Sequence, residues 1–446
     1  MNASQKNALS DSRVDALIDY IGQYWRKLIR HNPEDKHTLI GLPRPYVVPS
    51  DGEMFQEMYY WDSFFTSLGL VGSEHEQLIL DMTENLAHLF RRFGVIPNAS
   101  RYYFLSRSQP PFFTKMIMLA YDVLAGRGSE ERDEFLDAMM ALAQEEHETV
   151  WLGERQPHHR QMLNGLSRYF DINFLDSLAS CESGWDHSTR CGDRWMHHLP
   201  IDLNSILYAR EIDFARAHEL RGRHGEGSIW RRCAELRAEA INMRMWDKAS
   251  GFFYDYDLER RAMNMTPSLA GFFPMWAGFA SPAQAARMVA EWLPQFERDG
   301  GLVTSLDEMS GRQWAYPNGW APLQWLVTEG LENYGYHAEA LRIREKWCAH
   351  CLNVFEKTGA MWEKYNVVET DKVPEGGVYG SVSGFAWSNA VFVDFIKKIR
   401  AAKSTVVSSK PEIHMVITVA PPAPCEAAAF PPNNAAPLPS NQGIVI

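Results

Sequence analysis

Between residues 10 and 402 the chain carries apolar side chains at intervals of three and four in about twelve separate stretches, with strand-like alternation almost nowhere. The first stretch shows the pattern. Val14, Leu17, Ile18, Ile21, Tyr24, Trp25 and Leu28 share one face of a helix over 10–30, and Asp11 is placed to cap it. Comparable stretches lie near 61–70, 74–93, 112–126, 130–147, 172–181, 202–221, 226–246, 282–293, 318–332, 336–356 and 385–402. Strand signals are confined to 251–257, after the Lys248-Ala-Ser-Gly251 turn, and to 362–368. Helices with one apolar face must bury it against one another, so the spacing predicts an all-α fold. No internal repeat is visible, which sets a solenoid aside. A dozen helices joined by loops rich in aromatic and polar residues suits a helical toroid with its function in the loops.

A chain of 446 residues would allow about three domains, unless one toroid takes most of it. The toroid reading gives a single domain over 1–402. Beyond it the composition turns to Ser and Val and then to an Ala- and Pro-rich run ending at Ile446, and this tail over 403–446 is expected to be disordered. With 46% hydrophobic and 22% charged residues the whole chain is neither disordered nor a membrane protein. A net charge of −12 and the lack of any basic tract argue against a nucleic-acid partner. No segment offers the roughly 20 apolar residues that span a bilayer.

The first 25 residues show neither a charged leader nor an uninterrupted apolar run, so no signal peptide is expected. Cys181, Cys191, Cys233, Cys348, Cys351 and Cys425 are irregularly spaced and read as reduced thiols. Together these observations predict a cytoplasmic location, and a monomer is expected. Cys348-Ala-His-Cys351 sits within a helical run and reads as two helix thiols rather than a metal or redox pair. His158-His159 and His197-His198 fit no zinc spacing, no glycine-rich phosphate loop occurs, and Asp299-Gly300-Gly301 reads as a turn. No metal or other cofactor is expected.

Three clusters interleave aromatics, carboxylates and amides without helical or strand periodicity. One is Phe55-Gln-Glu-Met-Tyr59-Tyr60-Trp61-Asp62, joined by Pro97-Asn98 and the stretch from Arg101 through Arg107 and Gln109 to Pro111. Another is Glu182-Ser-Gly-Trp185-Asp186-His187-Ser-Thr-Arg190. The last is Gln313-Trp314-Ala315-Tyr316-Pro317-Asn318-Gly319-Trp320, followed by Glu363 and by Gly384-Phe385-Ala-Trp387-Ser-Asn389. A sugar presents apolar C–H faces and a rim of hydroxyls, so its pocket needs flat rings to stack on and Asp, Asn, Gln and Arg to bind the rim. Taken singly, such aromatics are more often core; together they point to a carbohydrate site. Asp62 and Asp186 each follow a tryptophan, where desolvation can raise a carboxyl toward the range of a general acid; each also suits a helix cap.

These clusters resemble the signatures of the trehalase family of glycoside hydrolases, over roughly 43–399. The family's PGGRFxExYYWDxY is matched by most of 49–64, its IPNGNRxYYLxRSQPP by most of 96–111, its ESGWDxSxR by 182–190, and its QWDxPNGWAPLQ by 313–324 except at Ala315. The resemblance implies an (α/α)6 toroid and an inverting hydrolase acting on α,α-trehalose or a close α-glucoside. It puts the catalytic acid on Asp186 and the base on Glu363. The two carboxyls would stand about 6.5 to 9.5 Å apart, one protonating the glycosidic oxygen while the other activates a water on the opposite face of the ring. It also implies that Phe55, Tyr59, Trp61, Asp62, Asn98, Arg107, Gln109 and Trp314 bind the disaccharide. For an arginine in the family's Arg-Pro-Glu segment, Arg168 is the nearest counterpart. Met54, Ala315 and Val378 stand where the family carries Arg, Asp and Glu, which removes charge from the expected pocket. Two other classes are consistent with the residues: a sugar epimerase or isomerase, which would bring His158, His159, His197 or His198 into the cavity, and a carbohydrate-binding homologue without turnover, which would have lost Asp186 or Glu363.

Overall fold

The computed structural model describes residues 9, 11–126, 128–156, 159–308, 311–372 and 380–408. Its contacts divide the chain into Met1–Lys403 and Ser404–Ile446. Of the second unit only 404–408 are described, as the last turn of a helix, and the Ala- and Pro-rich tail expected to be disordered lies outside the described residues.

Among the described residues the α-helices are α1 Asp11–Leu28, α2 Tyr60–Leu70, α3 Gln77–Phe93, α4 Phe113–Val123, α5 Ser129–Glu146, α6 Asp176–Glu182, α7 Ile201–Leu220, α8 His224–Met245, α9 Phe273–Ala277, α10 Pro282–Arg287, α11 Leu293–Phe296, α12 Ala321–Asn333, α13 His337–Thr358 and α14 Ala386–Ser408. Apart from the short α6, α10 and α11, they form two concentric rings. α2, α4, α7, α9, α12 and α14 make the inner ring, and their burial shows it: every residue of α2 is buried, as are most residues of α7 and α12. From α2 through α4, α7 and α9 to α12, each inner helix packs on the next. Asp213 of α7 takes Thr114 and Lys115 of α4 at 2.8 and 2.9 Å. Asn333 of α12 donates to the Trp276 carbonyl of α9 at 2.9 Å. Trp325 of α12 donates to Asp394 of α14 at 3.0 Å.

Gly69 closes the ring. A Cβ there would stand 2.5 Å from Ala390 Cα, so only glycine lets α2 and α14 approach this closely. The outer helices cover the inner ones with one apolar face, as their spacing predicts; α8 packs along α7, and α1 meets α13 through Arg13 and Glu356. The result is the (α/α)6 toroid.

The differences from the sequence reading have local causes. The helix expected over 172–181 begins only at Asp176, because 171–175 is a loop with Phe174 at φ 57°. The helix expected over 318–332 begins at Ala321, because Asn318–Trp320 is instead a strand paired antiparallel with Lys364–Asn366. The α9 helix has five residues with Pro274 in its first turn, too short to show a period. The strand signal over 251–257 splits into Phe252–Phe253 and Asp255–Asp257, the latter lying between His198–Leu199 and Ala262–Asn264.

Candidate active site

The segments that lead into the inner helices supply the lining of a cavity of about 160 Å³. Phe55, Tyr59, Trp61 and Asp62 come from the start of α2, Asn98, Arg107 and Gln109 from the approach to α4, Trp314 from the approach to α12, and Asp186 and Glu363 from loops between. All ten were singled out in the sequence, and the fold brings them together. Arg168 is not among them. Its guanidinium donates to the carbonyls of His159, at 2.8 Å, and Met196. Phe104, Cys181, Gly184, Trp320, Phe385 and Trp387 also line the cavity. Apart from Cys181 they lie inside the motifs already quoted, so membership of a motif was the available signal.

Trp61, Trp314, Trp320 and Trp387 form part of the cavity wall. Trp314 and Trp320 stack face to face at 3.8 Å and 3°, with Trp185 at 5.6 Å and Trp61 at 5.9 Å from Trp314. Gly184 makes room for this packing, having φ 71° and Trp61 ring carbon 2.6 Å from where a Cβ would be. A bridge between Ser188 and Trp314 ties the Asp186 loop to the α12 approach.

Polar anchors set the remaining side chains. The Glu182 carboxylate accepts from the N–H of Ser108 and of Phe170, both at 2.6 Å, and pairs with Arg160, so one buried acid joins the loop carrying Arg107 and Gln109 to the loop carrying Asp186. Asn98 donates to the carbonyls of Ser108 and Cys181 at 3.2 and 3.0 Å. Gln109 accepts from the Trp61 N–H at 3.1 Å, and Tyr59 donates to Glu57 at 2.8 Å.

Three carboxyls line this cavity, and their surroundings differ. Asp62 is pushed up to about 8, first by burial and further by the charges of Glu363 and Asp186. Asp186 is pushed up to about 6 by burial, while Lys364, Arg107 and the Gln313 amide hold it back. Gln313 Nε2 donates to Asp186 Oδ2 at 3.0 Å, which leaves Oδ1 to carry a proton. Glu363 has its backbone fixed between the Val382 carbonyl and the Trp387 indole N–H, both at 2.9 Å, and the Lys364 ammonium stands 3.1 Å from its Oε2. A carboxyl that keeps its proton in mild acid and a carboxyl beside a cation, within one cavity, have the chemistry that a general acid and a general base need.

Neither Met54 nor Ala315 lines the cavity; Met54 is 40% exposed and Ala315 fully buried, and Val378 lies outside the described residues. The charge differences expected inside the pocket at 54 and 315 therefore fall outside it. No described histidine lines it either: His159 stacks on Phe170, His198 bonds to the Arg194 carbonyl and His197 is on the surface, while His158 lies outside the described residues. The requirement of the epimerase reading is not met by the described histidines. Cys348 and Cys351 are buried free thiols in α13. Among the described residues no group of three or more His, Cys, Asp or Glu is placed to hold a metal ion, and no helix is long and apolar enough to cross a membrane. A larger hollow of about 350 Å³ between α3 and α5 shares no residue with these motifs, and its Arg44 and Glu84 already pair at 2.6 Å.

Comparison with known proteins agrees with this geometry. The family profile described as Trehalase matches residues 2–173 and 170–400. A periplasmic trehalase of Salmonella newport (strain SL254) is 33% identical over 425 residues, covering 86% of this chain and 74% of its own. A periplasmic trehalase of Escherichia coli (strain SMS-3-5 / SECEC) is 32% identical over 429 residues, with the same coverage. The structure of a neutral trehalase from Saccharomyces cerevisiae superposes with a TM-score of 0.76 at 26% identity, covering 90% of this chain and 98% of that one. The bacterial relatives are periplasmic enzymes, which corrects the cytoplasmic location expected from the sequence. The chain belongs to the trehalase family of glycoside hydrolases.

Proposed function

We propose that the protein hydrolyses α,α-trehalose to two glucose molecules with inversion, in the periplasm, with residues 1–402 as its single catalytic domain. The observation that carries this reading is the placement of Asp186 and Glu363 in one tryptophan-lined cavity, the first biased toward its protonated form and the second held beside an ammonium. Asp186 gives its proton to the glycosidic oxygen as the bond from C1 to that oxygen breaks. Glu363 takes a proton from the water that bonds to C1 from the opposite face. The two carboxyls then return to their starting states by exchange with solvent. The ring that was attacked leaves as β-glucose and the other as α-glucose.

The remaining lining residues bind. Trp61 and Trp314 offer flat faces to the sugar C–H groups, and Asp62, Asn98, Arg107 and Gln109 bond to its hydroxyls, with Phe55 and Tyr59 closing the aromatic wall. A neutral Asp62 would both donate and accept there. The test is glucose release from trehalose, kojibiose, nigerose, maltose and isomaltose, with NMR recording which anomer appears first. β-Glucose and α-glucose appearing together from trehalose is the expected result. Initial release of the α anomer alone would refute inversion, and release from a different disaccharide would refute the substrate.

A further inference from the structure

Lys364 follows Glu363 in the strand Lys364–Asn366 and is only 1% exposed. An ammonium is costly to bury unless other groups receive its charge. Here its Nζ lies 3.1 Å from Glu363 Oε2 and 5.4 Å from the centre of the Trp320 ring. Its field also reaches Asp186, where it is the first among the charges that hold that carboxyl down. Yet Lys364 does not line the cavity, so it cannot be reading the substrate directly.

Its mounting also connects it to the acid. Strand register pairs Lys364 with Trp320. The Trp320 indole N–H and the Asn318 amide both donate to the Gln313 carbonyl at 3.1 Å, and Gln313 in turn donates to Asp186 Oδ2. One oxygen of each carboxyl is therefore held from outside the cavity, by groups anchored on the same two-stranded ribbon.

Resting on the assignment of Glu363 as base, we infer that Lys364 is its positioning residue: the ammonium holds Oε2 and keeps the carboxylate ionised among its acidic neighbours. Those neighbours, among the described residues, are Asp62 from α2 and Asp186 from the loop after α6, with Arg107 from the approach to α4 as the cation of the lining. Without Lys364, three carboxyls would share one cavity with that one lining cation, and like charges at short range favour protonation of the base.

The experiment compares wild type, Lys364→Met and Lys364→Arg in the full chain. Two profiles are recorded: kcat/KM for trehalose against pH, and the Kd of the azasugar 1-deoxynojirimycin against pH by calorimetry, whose ammonium needs an ionised carboxylate and whose binding needs no turnover. For Lys364→Met the acidic limb of both profiles is expected to move up by about one pH unit, with kcat down by about 10- to 100-fold and KM changed by no more than about threefold. Lys364→Arg keeps the charge and is expected to leave the limb in place and recover most of kcat. The inference is overturned if the methionine variant keeps the wild-type limb, or if both variants lose activity equally with the limb unmoved, as a purely structural role would give. A wild type that binds the azasugar but leaves trehalose intact would refute the substrate, while the Kd profile would still decide the role of Lys364.

Discussion

Asp62→Asn tests the electrostatics of the cavity without relying on turnover. Asp62 is 7% exposed, and its carboxyl is raised from 3.8 to about 8 in the fold. A carboxyl raised in the native state binds its proton more tightly when folded than when unfolded. It therefore leaves stability intact below about pH 4 and erodes it as pH climbs toward 8. At about 1.36 kcal/mol per unit, the loss between pH 4 and 7.5 has an upper limit of about 5 kcal/mol. Rearrangement of side chains and entry of water around an ionised Asp62 lower this, and about 2 to 3 kcal/mol is expected. Asparagine has the same shape and no proton to lose. The variant should match wild type near pH 4, apart from a constant offset, and exceed it by that amount at pH 7.5. Urea unfolding followed by tryptophan fluorescence at pH 4, 6 and 7.5 gives the difference directly. A gap that is flat with pH, or that favours wild type more at pH 7.5 than at pH 4, would refute the claim that burial beside Glu363 and Asp186 keeps Asp62 neutral.

Asp186→Asn and Glu363→Gln are each expected to lower kcat on trehalose by about two or more orders of magnitude while the melting temperature stays near wild type; near wild-type turnover in either one would remove that residue from its role. The alkaline limb of kcat/KM should fall near pH 6, where Asp186 loses its proton, and Gln313→Ala should move it upward because the amide that favours the carboxylate is gone. A limb that stays put in that variant, read from the same profile, counts against Asp186 as the acid. Gly184→Ala combines a positive φ with a Cβ placed 2.6 Å from the Trp61 ring, and a loss of about 3 kcal/mol or more is expected in thermal or urea unfolding.

The sequence carried the fold where a helix had one wet and one dry face, as in α1, α3 and α13, because there burial writes a period into the residues. It carried α2 less by period than by a run of buried aromatics, and it did not carry α9 at all, since five residues with a proline in the first turn hold no period. The cavity was legible because its residues come in contiguous motifs, each delivered by one loop. Phe104 and Trp387 escaped because an aromatic in such a motif reads alike whether it faces a pocket or the core. Arg168 does not line the cavity, and pattern could not show this, because its bonds to the His159 and Met196 carbonyls are set by loop conformation. Glu182 and Lys364 were beyond reach of pattern, since what matters is that their charges end up buried against groups from other segments.

The positions that depart from the family pattern yield a final, two-part expectation. Met54 is 40% exposed and outside the lining, so Met54→Arg adds a cation that water screens, and activity on trehalose should change by no more than about threefold. Ala315 is fully buried next to the stacked Trp314 and Trp320, so Ala315→Asp forces a carboxylate into a tight apolar wall. That variant should lose about 2 to 4 kcal/mol at pH 7 and less at pH 4, where the new carboxyl can stay neutral. Unfolding at the two pH values together with kcat/KM separates the cases. Were Ala315→Asp instead to fold as well as wild type and cleave trehalose faster, the wall at 315 would have to open onto the substrate, and residue 315 would belong to the cavity lining. If it unfolds as expected, this chain differs from its relatives at 315 in how the tryptophan wall is packed rather than in a group that touches the sugar.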